Sequence, residues 1–270
     1  MKYDVIIVGG GIAGLTAAAF LSRSGRSVLL CEKEERVGGL VGSFVRDEFV
    51  FDAGIRALEN SGVLVPMLRR LGIDMEFLEN PVSIGIADRI VTIRSEEDIA
   101  AYQQMLTELF PHERENISAI IDVVHRSMTY MDVLYGIDNP LFMDLKHDTA
   151  YLKETLLPWL FRYIAALGRI KRLNTPVEEF LAKMTQNRTL IDMIAQHFFT
   201  KTPASFALSY FSLYLDYKYP KGGTGALIDR LWDYIQERGG TIQTRTCIDT
   251  VDPVRRTVTD RNGNEYEYYD

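Results

Sequence analysis

The chain has 270 residues, 47% hydrophobic and 25% charged, which is enough for one large or two modest domains with a substantial core. Its 37 acidic residues outweigh 30 basic ones, and a net charge of −7 with no dense basic run excludes nucleic-acid binding driven by phosphate neutralisation. Two cysteines, Cys31 and Cys247, each in an apolar strand pattern, exclude a disulfide framework and fit a reducing, cytoplasmic setting.

Val5–Val8 is a short apolar run that enters Gly9-Gly10-Gly11-Ile12-Ala13-Gly14, and a helical pattern follows. The next apolar run, residues 27–31, ends on Glu32. Glycines at 9, 11 and 14 permit a tight strand-to-helix turn, a close backbone approach to a pyrophosphate, and close helix–strand packing. The phosphates would meet the positive end of the helix. Glu32 at the end of the second strand can accept from a ribose 2′-hydroxyl and would repel a 2′-phosphate, so the pattern predicts an unphosphorylated adenosine ribose, as in FAD or NAD. Residues 5–21 are apolar enough to imitate a signal peptide or a membrane span. Four glycines within six positions, and Asp4 where a positive flank belongs, argue instead for strand, turn and helix.

Arg36-Val37-Gly38-Gly39-Leu40 comes next, then Phe51-Asp52-Ala53-Gly54. A second glycine pair with a cation beside it predicts a second phosphate-facing nest, for which a nicotinamide site has little use, and this favours FAD. Residues 62–71 read as a short helix ended by Gly72, and residues 82–86 and 90–93 as a hairpin around Asp88-Arg89. Ser95-Glu96-Glu97-Asp98 is a capping sequence opening a helix that runs to about Phe110, where Pro111 breaks it. From 111 to 215 nearly everything has helical period. Thr175-Pro176 and Thr202-Pro203 each read as an N-cap with proline at the first helical position. A helix is predicted over 223–238, then strands over 241–244 and 247–251 that return the chain to the first sheet, then a hairpin at Asn262-Gly263. The expected fold is α/β, a Rossmann-like FAD-binding domain from residues 1–80 and 216–270, with an inserted, mainly helical substrate domain from 81–215.

The first 54 residues resemble the FAD-dependent amine oxidase and phytoene desaturase superfamily, whose pattern runs GxGxxG, Glu, Arg-x-Gly-Gly, aromatic-Asp-x-Gly. Tyr219-Pro220-Lys221-Gly222-Gly223, leading into a helix and then Gly239-Gly240-Thr241-Ile242, is similar to the carotenoid desaturase, carotenoid isomerase and retinol saturase branch. The resemblance implies cofactor contacts at Gly9, Gly11, Ile12, Ala13, Gly14, Glu32, Lys33, Arg36, Gly38, Gly39, Leu40, Gly54 and Ile55, and at Ile248 beside the adenine. Family members are longer and carry a flavin-clamping segment near their C-terminus that this sequence lacks; a partner chain or a degenerate paralogue would explain the loss, but the sequence ends inside a strand pattern and is expected to be a fragment.

The helical insertion is rich in aromatics, notably Trp159, Phe161 and the stripe Phe206, Tyr210, Phe211, Tyr214, Tyr217, Tyr219. Most are expected in the core. A minority are expected to line a tunnel for a long apolar substrate, with exposed members making peripheral membrane contact. His112, His125, His147 and His197 lack metal-ligand spacing, so no metal is assigned. Ser22, Ser24 and Ser27 show no nucleophile-elbow pattern. Asp52 reads as a structural hydrogen-bonding residue and Lys221 as a solvated turn residue. No catalytic side chain is assigned, because the flavin would carry the hydride. The resemblance implies an FAD-dependent oxidoreductase acting on an apolar polyene or isoprenoid-type molecule. Two alternatives are an amine or porphyrinogen oxidase and a non-catalytic FAD-binding or interaction protein.

Overall fold

A computed structural model describes residues 2–269. The chain divides into two compact units, one built from residues up to 58, 67–79 and those from 218 onward, the other from 59–66 and 80–217.

In the first unit, Val5–Val8, Val28–Cys31 and Thr241–Gln243 form a parallel three-stranded sheet with Val28–Cys31 in the middle. All four residues of that middle strand are buried and all four are apolar, as a parallel strand covered on both faces requires. Helix Ile12–Arg23 connects the first two strands and buries Leu15, Ala18, Ala19 and Ser22, a stripe at i, i+3, i+4 and i+7. Helix Gly225–Glu237 packs against it and leads into the third strand. This is a Rossmann-like strand–helix–strand arrangement.

A second sheet of this unit orders Lys2–Tyr3, Glu265–Tyr268, Thr257–Asp260 and Ile248–Asp252. The strand at 248–252 therefore does not return to the first sheet as expected. The chain turns away at Thr244–Cys247, where Thr246 donates its main-chain N–H to the Glu32 carbonyl at 2.8 Å and Arg245 donates to the Glu34 carbonyl at 2.9 Å. Cys247 lies in that turn and not in a strand, and both cysteines are free thiols. Burial pushes the Cys31 thiol up to about 11, so it stays protonated at neutral pH. The hairpin at Asn262-Gly263 forms between Thr257–Asp260 and Glu265–Tyr268, with Gly263 at φ +82°.

The second unit centres on buried Ile93, Tyr102, Leu106, Ile117, Leu190, Leu208 and Phe211. The expected hairpin is present as Val82–Ile86 and Arg89–Ile93, and the helices include Asp98–Leu109, Arg114–Tyr135, Leu157–Ile170 and Ala204–Asp216. Ser95 is not the side-chain cap of its helix. The Asp98 carboxylate reaches back instead and accepts from the main-chain N–H groups of Arg94 (2.8 Å) and Ser95 (2.9 Å), the reverse half of a capping box.

Thr175 and Thr202 also do not cap through their hydroxyls. Pro176 and Pro203 themselves take the N-cap positions in extended conformation, one residue later than the sequence suggests. The reason is pairing between the two starts: Val177 donates its N–H to the Thr202 carbonyl (2.9 Å) and Ala204 donates to the Thr175 carbonyl (2.8 Å). Each helix start is satisfied by the other's main chain.

Residues 59–66, expected within the first part, belong to the second unit. The Asp216 carboxylate accepts from the main-chain N–H groups of Asn60 (2.9 Å) and Ser61 (3.2 Å), and the Gly62 carbonyl accepts from Asn139 at 2.6 Å.

Candidate nucleotide-binding site

The three glycines of the turn do three different jobs. Gly9 sits at φ +104°, a conformation L side chains rarely adopt, and donates its N–H to the Cys31 carbonyl at 2.8 Å. At Gly14 a Cβ would lie 2.0 Å from the Gly9 carbonyl oxygen, so helix and strand could not approach with any other residue. At Gly11 a Cβ would meet nothing within 4 Å. That open space lies over the first turn of helix Ile12–Arg23, whose N-cap Gly11 has no side chain to satisfy the amides around Ile12 and Ala13. The positive end of the helix is therefore left for an anion.

Gly10 was not singled out in the sequence, yet it is as constrained as its neighbours. A Cβ there would lie 2.7 Å from Val37 Cγ1 and 3.1 Å from Glu32 Cβ. Gly10 donates its N–H to Glu32 Oε2 at 2.6 Å, and Glu34 donates its N–H to Glu32 Oε1 at 2.9 Å. The buried Glu32 carboxylate thus organises the glycine turn itself, and each oxygen retains further acceptor capacity.

The second glycine pair is joined to the first. Gly38 (φ +113°) donates its N–H to the Gly10 carbonyl at 2.7 Å and bridges to Gly11, while Gly39–Val41 make a single tight turn. Leu40 is exposed on that turn. Gly54 packs directly against it, since a Cβ would lie 2.9 Å from Leu40 Cδ2, and Ile55 donates its N–H to the Leu40 carbonyl at 3.0 Å. Gly54 and Ile55 shape the turn from behind.

Two further expected residues, Lys33 and Ile248, have the following neighbours. The side chain of Lys33 points to solvent and lies 3.4 Å from Glu34. Ile248 packs against the apolar cluster of Tyr3, Leu29 and Cys31, and the main chain of Glu32 donates its N–H to the Gln243 carbonyl and accepts from the Thr246 N–H, both at 2.8 Å. Arg36 is exposed, has no ion-pair partner among the described residues, and lines a cavity of about 400 Å³ with Val37, Ser43, Val45, Val50 and Trp232.

Asp52 anchors the Tyr219–Gly223 turn within the same unit. Its carboxylate accepts from Tyr219 Oη (2.7 Å), Thr224 Oγ1 (2.8 Å), the Thr224 N–H (3.1 Å) and Ser43 Oγ (3.3 Å). Burial raises the Asp52 pKa, but these hydrogen bonds outweigh it and hold the carboxyl below its usual range. The same bond raises the Tyr219 hydroxyl. Asp52 is a structural hydrogen-bonding residue, and Lys221 pairs with Glu76 at 2.8 Å on the surface.

In the helical unit the aromatic stripe is packed edge to face: the Tyr210–Tyr214, Phe211–Tyr214 and Tyr214–Tyr217 rings lie 5.3, 5.6 and 5.8 Å apart. Phe211 and Tyr214 are buried, and Phe206 is exposed. Among the described residues no cluster of His, Cys, Asp and Glu could hold a metal, and no helix is long and apolar enough to cross a membrane.

A family model described as flavin containing amine oxidoreductase matches residues 12–269. The all-trans-retinol 13,14-reductase of Macaca fascicularis is 25% identical over 271 residues, covering 93% of this chain and 42% of the reductase. The chloroplastic prolycopene isomerase of Arabidopsis thaliana is 24% identical over 260 residues, covering 92% of this chain and 43% of the isomerase. A redesigned putrescine oxidase is similar in fold, with a TM-score of 0.61 at 18% identity over 99% of this chain and 57% of that one. The chain thus spans less than half the length of these two curated relatives.

Proposed function

The chain belongs to the flavin containing amine oxidoreductase family, and from that premise we propose that it is the nucleotide-binding part of an FAD-dependent oxidoreductase acting on an apolar polyene or isoprenoid-type substrate. The observation that carries the cofactor assignment is the open space over Gly11, beside amides no side chain caps and next to a carboxylate already fixed by Gly10 and Glu34. Gly11 and the first turn of its helix would hold the pyrophosphate, Glu32 would accept from the ribose, and the Gly38–Gly39 turn would give a second backbone surface with Arg36 beside it. Flavin, when bound, supplies hydride acceptance and delivery at N5. The substrate class is supported by the relatives named for retinol reduction and prolycopene isomerisation. A cytoplasmic setting and peripheral membrane contact belong to the same reading, since such a substrate partitions into lipid.

Anaerobic flavin spectroscopy tests it. Purified protein, loaded with FAD, is mixed with all-trans-retinol, a carotene or putrescine, starting from oxidised and from dithionite-reduced flavin. A change in flavin oxidation state with a polyene and none with putrescine is expected. A response to putrescine alone would move the assignment to the amine oxidases, and failure to bind FAD would overturn the cofactor assignment.

A further inference from the structure

Helix Leu157–Ile170 turns one face inward and leaves the other without a partner. Trp159 donates its indole N–H to the Val133 carbonyl on helix Arg114–Tyr135, the Trp159 and Tyr163 rings lie 4.9 Å apart, and Ala166 is buried. These positions recur at i, i+4 and i+7 and define the packed side. Leu157, Leu160, Phe161, Ile164 and Leu167 lie on the opposite arc, and all are exposed, Phe161 by 72% and Ile164 by 60%. Five apolar side chains on one outward arc are not a scatter of single surface hydrophobics.

The charges around this arc oppose those of the chain as a whole. The chain carries −7, yet residues 153–172 hold five basic side chains (Lys153, Arg162, Arg169, Lys171, Arg172) against one carboxylate, Glu154. Arg162 and Arg169 lie together on one side of the helix, between its packed side and the apolar arc, and Lys171 and Arg172 follow its end. Among the described residues no helix is long and apolar enough to cross a membrane, but helix Leu157–Ile170 can lie in the interface with its apolar arc down and its basic side chains at the headgroups. A second copy of this chain is a poorer occupant, because two-fold pairing would bring the same basic flanks together.

We propose that the outer face of helix Leu157–Ile170, with its Arg162 and Arg169 flank, is a docking surface for an anionic phospholipid bilayer. The surface is argued from its own residues, and its test reads vesicle binding without flavin or turnover, so failure here leaves the flavin assignment standing.

The experiment is flotation of the purified chain with phosphatidylcholine vesicles and with vesicles containing phosphatidylserine. Phe161→Ser/Ile164→Ser and Arg162→Gln/Arg169→Gln are compared with the parent, and far-UV circular dichroism checks that all three are folded. The parent is expected to float with the anionic vesicles, and binding should fall about tenfold with neutral lipid, in about 1 M salt, or in either variant. Equal binding by the parent and Phe161→Ser/Ile164→Ser would overturn the proposal. So would absence of binding to anionic vesicles, whether the protein stays monomeric or forms a dimer that the serine variant dissolves.

Discussion

Tyr219 donates its hydroxyl to Asp52 at 2.7 Å, joining two segments separated by 167 positions in the chain. The bond fixes the turn containing Gly222 and Gly223, both at φ +95°, onto the end of strand Phe49–Asp52, and Thr224 and Ser43 complete the grip. Tyr219→Phe keeps the ring and removes one donor to an ionised acceptor. A loss of about 1–2 kcal/mol is expected, read as a shift of the urea midpoint at neutral pH, and no shift would show that the bond adds nothing.

The same carboxylate makes stability depend on acid. Asp52 is held below its usual range in the folded chain, so its contribution is complete above the unfolded carboxylate pKa of about 3.9 and is lost as pH falls through the lower folded value. Asp52→Asn should flatten the acid limb of the melting temperature below about pH 4, measured by circular dichroism. An unchanged acid limb in that variant would contradict the assignment.

His197 predicts a second pH effect, in the helical unit. Burial lowers its pKa, and its Nε2 is buried with no partner, so the ring is stabilised neutral among Tyr102, Phe198 and Phe211. The unfolded chain binds a proton more readily, and stability should fall as pH drops below about 6.5. His197→Leu removes the titration, the unsatisfied Nε2 and the Nδ1 that lies 3.4 Å from the Tyr214 hydroxyl. The fall of its melting temperature below about pH 6.5 should be shallower than the parent's; a parental slope in the variant would assign the effect elsewhere.

The glycine turn was legible because its parts are local: Gly9 supplies the positive φ, Gly14 the close approach and Glu32 the strand end, all within one strand–helix–strand unit. Gly10 was missed because its constraint comes from Val37, twenty-seven positions away. The turn at 244–247 was missed for a related reason: its cause is main-chain bonding to Glu32 and Glu34, which no side-chain pattern records. The reciprocal bonds from Val177 to the Thr202 carbonyl and from Ala204 to the Thr175 carbonyl likewise depend on two helix starts meeting, and the local Thr-Pro signature read alone placed the caps one residue early. Asp52 was legible as a structural residue, but its partners Tyr219 and Thr224 were not.

The proposed site gives Glu32 two jobs, holding the turn and accepting from the ribose, and Glu32→Gln separates them only in part. The amide retains one acceptor for Gly10 or Glu34 and loses the charge, so FAD affinity should fall by about 1.5–3 kcal/mol, with a smaller drop in melting temperature from the loosened turn. Isothermal titration with FAD, beside a thermal melt, measures both. Equal affinity in mutant and parent would remove the ribose from Glu32.

The most direct measurement is FAD and ADP binding by Gly11→Val against the parent. A Cβ at Gly11 meets nothing within 4 Å apart from its chain neighbours, and its backbone, φ −70° and ψ 176°, accepts a β-branched residue, so the fold should be intact and the melting temperature nearly unchanged. The valine nevertheless occupies the space through which a pyrophosphate reaches the first turn of helix Ile12–Arg23. The parent is expected to bind both ligands and Gly11→Val to bind neither measurably while melting with the parent. Parental affinity of folded Gly11→Val for FAD and ADP would show that the nucleotide, if held at all, is not held at this turn.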